Sequence, residues 1–363
     1  MVKFDFIISN LLLLSKCLSF SDISKDINWL NIYTKDGRVL MASGKKVRVV
    51  VDTLINTSSN IDICIDCNKF IEYISYIKNF GKEGTCSLLI KDNVFKIVNN
   101  NKNKIKNNLY LEYIEKTTTK IRAKNFNKIA SIDPVTAKDG MAFVATGADN
   151  SEKYSAQTVG VLIESKNKMF RLAGTDGVRC CIYTIKSDQS SDHSIVIPSN
   201  TARAISNIAS LLDKNANICY SSTYFVCDFG AVVIYSPKIN LAFPSLDSLI
   251  NFVGSGVYVN RNSFINVIRG ANIDTKGKQD NKVNLTINNN RMKINSDGFD
   301  STLELDTALN KNAINVNVFL NSLFLYNLCS SFKGENINLQ FDGNIIKISD
   351  DTGIKLSFMA LLK

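Results

Sequence analysis

Apolar positions along this chain follow two rhythms in turn, a period of two and then a period of three to four. The clearest case is "HSIVIPSNTARAISNIASLL", His193 to Leu212. Its "SIVIP" has the β-branched alternation of a strand. After the proline, Ile205, Ile208 and Leu212 fall on one helical face. "NIDICIDCNKFIEYISYIKNF" (Asn60 to Phe80) has the same layout, with Phe70, Ile74 and Ile77 on the helical face. So does "NAINVNVFLNSLFLYNLCSSF" (Asn312 to Phe332), with Leu320, Phe324 and Leu328. After each helix come alternating runs of paired strands, with Asp-Asn and Asp-Gly where hairpin turns belong.

A weaker series precedes each of these. "VKFDFIISNLLLLSKCL" (Val2 to Leu18), "TKIRAKNFNKIASI" (Thr119 to Ile132) and "GVYVNRNSFINVIRG" (Gly256 to Gly270) each predict a strand running into a short helix, with hairpin strands behind. The chain thus predicts six copies of a strand–helix–strands unit, two per domain. The expected domains are 1–116, 117–243 and 244–363. The fold class is α+β, with antiparallel sheets on one side and helices on the other.

Composition narrows the function. The 363 residues carry 43 Lys and Arg against 33 Asp and Glu, a formal charge of +10 that favours a polyanionic partner such as nucleic acid. A Lys/Asn-biased, AT-rich genome gives the same excess, and "NNNKNKIKNN" (Asn99 to Asn108) fits that account too. The 9 cysteines lie scattered in apolar stretches, as reduced buried thiols do. Cys64 and Cys67 form a Cys-x-x-Cys across a strand end, with no second pair or nearby histidine, so no metal or other cofactor is expected. His193 is the sole histidine, and no nucleophile–base arrangement or cofactor fingerprint is visible, so the expectation is not an enzyme. At the N-terminus, Asp5, Ser9 and Asn10 interrupt the apolar run, which predicts a strand and buried helix rather than a signal peptide or a membrane span. A cytoplasmic protein is expected, with an organellar or viral origin left open.

"LAGTDGVRCCIYTI" (Leu172 to Ile185) resembles the "ATDGHRL" segment of the bacterial DNA polymerase III β sliding clamp. "SIVIPSNTARAI" resembles that family's "SVIVP" strand and following helix, "LAFPSLDSLI" (Leu241 to Ile250) its "FPDY" linker, and "LSFMALLK" its "VVMPMRL"-type tail. The resemblance is local from about residue 155 to 250 and at the tail; the first 115 residues share only the layout. It implies the three-domain sliding-clamp fold, with six helices lining a central channel. It also implies a homodimeric, head-to-tail ring that encircles double-stranded DNA and acts as a processivity factor for a replicative polymerase. A scaffold of the same fold that does not close a ring is the alternative.

An inner wall for DNA needs positive charge that reads no sequence. The helix faces opposite the apolar stripes are expected to carry Lys16, Lys69, Lys78, Lys124, Lys128, Arg203, Arg261 and Arg269, with Lys25 close by, and few carboxylates, Glu72 being the clearest. "TDGVR" (Thr175 to Arg179) lacks the glycine spacing of a phosphate loop and reads as a hairpin turn. By resemblance it walls a hydrophobic pocket for short peptides of the polymerase, the clamp loader and other partners. That pocket would use Thr175, Gly177, Arg179, Pro244, Leu249, Phe358, Met359 and Leu361, with Asn317 and Leu320 near its second half. The dimer edges would lie near Ile105 and Ile273. Val178, Cys180, Ser248 and Ala360 depart from the family pattern around the pocket, and Ala156 and Gln157 stand where some members have paired tyrosines near DNA.

Overall fold

The computed structural model describes the chain except for residues 22–27, 81–83, 92–93, 101–107, 116–125, 149–159, 188–191, 289, 308, 311–313 and 363. Seven α-helices occur among the described residues: α1 Ile8–Leu18, α2 Cys67–Ile77, α3 Met141–Gly147, α4 Ser199–Leu212, α5 Asp247–Ile250, α6 Arg261–Thr275 and α7 Ser322–Ser330. All but the short α5 follow a strand directly or within a few residues. In four cases an Asx residue at the strand end caps the helix. The side chains of Asp66, Asp133, Asn260 and Asn321 accept from the backbone N–H of Lys69, Thr136, Ser263 and Phe324 at 2.9–3.1 Å.

The chain forms two compact units, residues 1–139 with 203–238, and residues 140–202 with 239–363. This contact-based division differs from cuts at 116 and 243 because it follows shared sheets. In the first unit, one four-stranded sheet has the order Val2–Ile7, Thr85–Lys91, Val94–Asn99, Asn108–Glu112. A nine-stranded sheet runs from Asn127–Ile132 to Ile114–Glu115. At its middle, Val232–Pro237 pairs with Arg48–Asn56. The second unit has a four-stranded sheet from Phe299–Glu304 to Val316–Asn321. Its eight-stranded sheet runs from His193–Ile197 to Ser255–Asn260, with Arg179–Lys186 paired to Lys355–Ala360 at the middle. All of these pairings are antiparallel.

The repeats exchange their leading strands. Val2–Ile7 of the first repeat pairs with the hairpin strand Thr85–Lys91 of the second, and Asp62–Asp66 of the second pairs with Trp29–Lys35 of the first. The same reciprocal exchange joins Asn127–Ile132 to Ala216–Tyr220 and His193–Ile197 to Gly160–Lys166. It recurs between Ser255–Asn260 and Asn336–Asp342, and between Val316–Asn321 and Lys282–Asn288. A leading strand cannot bury its apolar face on its own helix alone, and the companion hairpin supplies the missing neighbour. The predicted apolar faces hold for Phe70, Ile74, Ile77, Ile205 and Ile208, all fully buried; Leu212 is half-buried.

Two sequence readings change. Thr119 to Ile132 was expected to end in a helix; Asn127–Ile132 is instead a strand, and the helix begins after it. Asp133 caps Thr136 and Pro134 occupies the first turn, after which a π-turn, Thr136–Gly140, leads into α3. In the last repeat the buried face is Leu325, Leu328 and Cys329, with Phe324 half-buried and Leu320 still on the strand.

Candidate functional site

The "TDGVR" segment is a self-contained turn. Thr175 Oγ1 donates to the Arg179 carbonyl at 2.7 Å and accepts from Gly177 N–H at 3.1 Å. Asp176 Oδ1 accepts from the N–H of Val178 and Arg179 at 3.0 and 2.9 Å. Gly177 has φ +88°, which the turn requires of a residue without a Cβ. Asp176 is fully buried, and its Oδ2 takes the Arg179 Nε at 2.8 Å. The Arg179 guanidinium then lies 4.0 Å from the centroid of the Phe324 ring on α7. A hydrogen-bonded buried pair satisfies both charges without water. Arg179 is therefore an internal strut rather than an open pocket wall, and Thr175 is committed to the turn.

The tail runs beside this turn. Arg179 pairs with Met359 and Cys180 with Phe358, and the Ala360 N–H reaches the Val178 carbonyl at 2.9 Å. Beyond the strand, Leu361 and Leu362 donate N–H to the carbonyls of Asn344 and Phe319. Side chains alternate along a strand, so Phe358 and Met359 face opposite ways. Phe358 joins Leu162, Ala173, Cys180, Ile182, Val196 and Leu246 in one buried cluster. Leu249, Ile250, Phe243 and Phe252 of the following linker pack against it partly exposed. The Phe252 and Phe358 rings meet edge to face at 6.0 Å. Met359, at 1% exposure, belongs to the other side of the sheet and cannot share this pocket. Leu320 is fully buried in its own, separate sheet. Asn317 is exposed and accepts from Asn284 at 2.7 Å. Pro244 and Gly177 are exposed, and Leu249 and Leu361 half-buried. The structure thus brings Leu249 and Phe358 together, places Pro244 on the adjoining linker, and leaves Met359 and Leu320 out.

The cations named from the sequence fall in several places. Lys16 on α1, Lys69 on α2, Lys78 just beyond it, Arg203 on α4 and Arg269 on α6 are exposed. On α4, Asn200, Arg203, Asn207 and Ser210 form one exposed stripe; on α6, Asn262, Asn266, Arg269 and Ile273 form another. Lys128 is exposed on a strand, not a helix. Arg261 is half-buried and donates to the carbonyls of Gly334 and Phe332 at 3.0 Å each, in the turn that follows α7. Lys25, Lys124, Ile105, Ala156 and Gln157 lie outside the described residues. Lys138, exposed on the π-turn, is a cation that the sequence reading missed because no helix was predicted there.

Among the described residues no group of His, Cys, Asp and Glu is arranged to hold a metal ion. The thiols are free. Burial pushes the Cys67 thiol up to about 11 and that of Cys181 up to about 12, and it raises Cys180 strongly as well. Among the described residues no helix is long and apolar enough to cross a membrane.

The fold is shared with known proteins. Residues 140–245 match the family model for the DNA polymerase III beta subunit, central domain. A putative DNA polymerase III beta subunit from Eubacterium rectale superposes with a TM-score of 0.82 at 17% identity, over 99% of each chain. The DNA polymerase III beta subunit from Thermotoga maritima gives 0.83 at 13% identity, again over 99% of each. The Helicobacter pylori beta clamp bound to DNA ligase peptide gives 0.75 at 14%, over the full length of both. No curated protein sequence matches the chain. The chain has the sliding-clamp fold from end to end. Its segment 140–245, which holds the TDGVR turn, resembles the beta subunit of DNA polymerase III in sequence as well.

Proposed function

We propose that this protein is a DNA polymerase processivity factor, three two-repeat domains divided near residues 116 and 243. Two chains would close head to tail around duplex DNA. It would act without catalysis, tethering a replicative polymerase, a clamp loader and other partners by short segments seated on the cluster around Phe358, Leu249 and Pro244. Tethering raises the local concentration of polymerase at its template, so that rebinding outruns escape. A cytoplasmic, nucleoid-associated location follows from that role.

The observation that carries the reading is strand logic. The third strand of the first repeat's hairpin set, Arg48–Asn56, pairs with the equivalent strand of the fourth repeat, Val232–Pro237. The third repeat's Arg179–Lys186 pairs with the sixth's Lys355–Ala360. The equivalents in the second and fifth repeats, Asn108–Glu112 and Phe299–Glu304, are free sheet edges among the described residues. An unpaired edge is a template for another chain, and pairing these two between copies generates a heterologous interface that can close a ring. Asn108–Glu112 follows Ile105 in sequence, and Ile273 is 76% exposed on α6. Carboxylate-poor faces on α1 and α4 support a DNA-facing wall.

Retention on DNA tests the whole reading. Protein assembled on a nicked circle with a clamp loader should stay at moderate salt and leave when the circle is linearised. Equal retention on both forms would remove the encircling model and favour the open scaffold. Ile273→Asp should shift the sedimenting species to the mass of one chain with an unchanged melting temperature, because the side chain is exposed within the chain. A dimer that survives it would rule out this edge.

A further inference from the structure

We propose that a cleft of about 380 Å³ beside the Phe358 cluster is a binding site for a carboxylate, carried as an acidic side chain by the segment that flanks a partner's apolar anchor. The proposal rests on the reading of that cluster as a partner site. The cleft shares Leu162, Phe243 and Leu246 with the cluster, so an extended segment leaving one enters the other. Its roof is the linker 242–247. Its floor is the outer face of three paired strands and carries Glu164, Lys166, Arg171 and Ser194.

The floor has more donors than acceptors. Arg171 gives one N–H to Glu164 at 3.0 Å, which neutralises that carboxylate. Its Nε is shut off from solvent and meets no acceptor, an arrangement that a small rotation toward a new acceptor would relieve. Lys166 is exposed and makes no ion pair among the described residues, and the exposed Ser194 hydroxyl has no hydrogen-bond partner there. On the roof, Asp247 accepts from the Ser245 hydroxyl at 3.1 Å. An occupant must therefore supply acceptors to the floor and apolar surface to Leu162 and Pro244. A carboxylate on a peptide does both, and guanidinium and ammonium groups bind it through charge-assisted hydrogen bonds.

The test uses fluorescein-labelled, C-terminally amidated peptides with a Leu- and Phe-containing core, flanked on either side by Glu-Glu or Gln-Gln, read by anisotropy on the full chain. One added peptide has a Gln-Gln flank and a free C-terminal carboxylate. On one side, the Glu flank should bind about tenfold tighter than the Gln flank, the size expected of one charge-assisted contact. Lys166→Gln and Arg171→Gln should each erode that preference while leaving Gln-flanked affinity unchanged; Lys166 is a surface residue whose replacement spares the fold. Equal binding of Glu and Gln flanks by the wild type, or a preference that survives both substitutions, overturns the proposal. A gain confined to the free C-terminal carboxylate overturns the acidic-side-chain assignment. If no peptide binds the wild type, the partner-site reading of the cluster fails, and the cleft falls with it.

Discussion

Two strand pairs play the same part in the two units and are buried differently. In the first unit, Arg48–Asn56 against Val232–Pro237 buries one face only. Val49, Val51, Val232 and Ile234 are inside, while Arg48, Val50, Val233 and Tyr235 are half-exposed. In the second unit, Arg179–Lys186 against Lys355–Ala360 is covered on both faces. Cys181, Ser357 and Met359 face one way and Cys180, Ile182 and Phe358 the other, all nearly sealed from water. The difference is the linker after Ile239, which lays Phe243, Leu246, Leu249 and Phe252 on the outer side. One seam is open to solvent on its outer face, whereas the other carries an apolar surface layer that is partly exposed, the property a docking site needs.

The sharpest way to break this contrast is at the charges beside each seam. Asp176→Ala should cost about 3–5 kcal/mol, because it leaves the Arg179 guanidinium buried and unpaired. Asp52→Ala removes the 2.7 Å partner of the half-exposed Arg38 and should cost about 1 kcal/mol or less. Urea titration of both variants measures the gap, and equal losses would mean that the two seams are alike. Next in size, Phe358→Ala should cost about 3–5 kcal/mol, against about 1 kcal/mol for the half-exposed Val233→Ala. Met359→Ala belongs with the first of these, since it empties core and not a pocket. A smaller effect sharpens the picture at the thiols. At pH 8 the native protein should leave Cys180 and Cys181 unmodified by a thiol reagent, since burial holds both far above that pH as neutral thiols. The half-buried Cys219 should react first. Leu246→Ala thins the cover and should speed Cys180 labelling by a few-fold relative to Cys181; identical rates would show that the linker does not seal the outer face.

Much of this was legible in the sequence where one residue pattern had one cause. The helices containing Phe70, Ile205 and Phe264 are set by local periodicity, and the first and last of them also by Asx caps. The Asp176–Gly177 turn is set by its own side chains. What was not legible depends on distant partners. Nothing in "LSFMALLK" distinguishes Phe358 from Met359 until the register with Arg179–Lys186 assigns them to opposite faces. Arg261 looks like a surface cation until the turn after α7 presents the carbonyls of Phe332 and Gly334. The helix after Asp133 was readable from Asp-Pro, yet the Asn/Lys-rich run before it diverted the reading to the wrong side of that signal. The turn Asn167–Lys168 shows the same limit, because both residues adopt left-handed backbone without a glycine to announce it.

The reciprocal exchange of leading strands sets a timetable for the nascent chain. Val2–Ile7 is made well before its sheet neighbour Thr85–Lys91. Arg48–Asn56 waits for Val232–Pro237, and Arg179–Lys186 waits for Lys355–Ala360. Pairings so distant along the chain form slowly and leave unmatched edges in the interim. During synthesis the apolar side chains of Arg179–Lys186 therefore stand uncovered until Lys355–Ala360 is released. A translational stall ahead of residue 355 would hold the protein in its most aggregation-prone form, and the cell would meet that form as a substrate for chaperones before it met the folded protein.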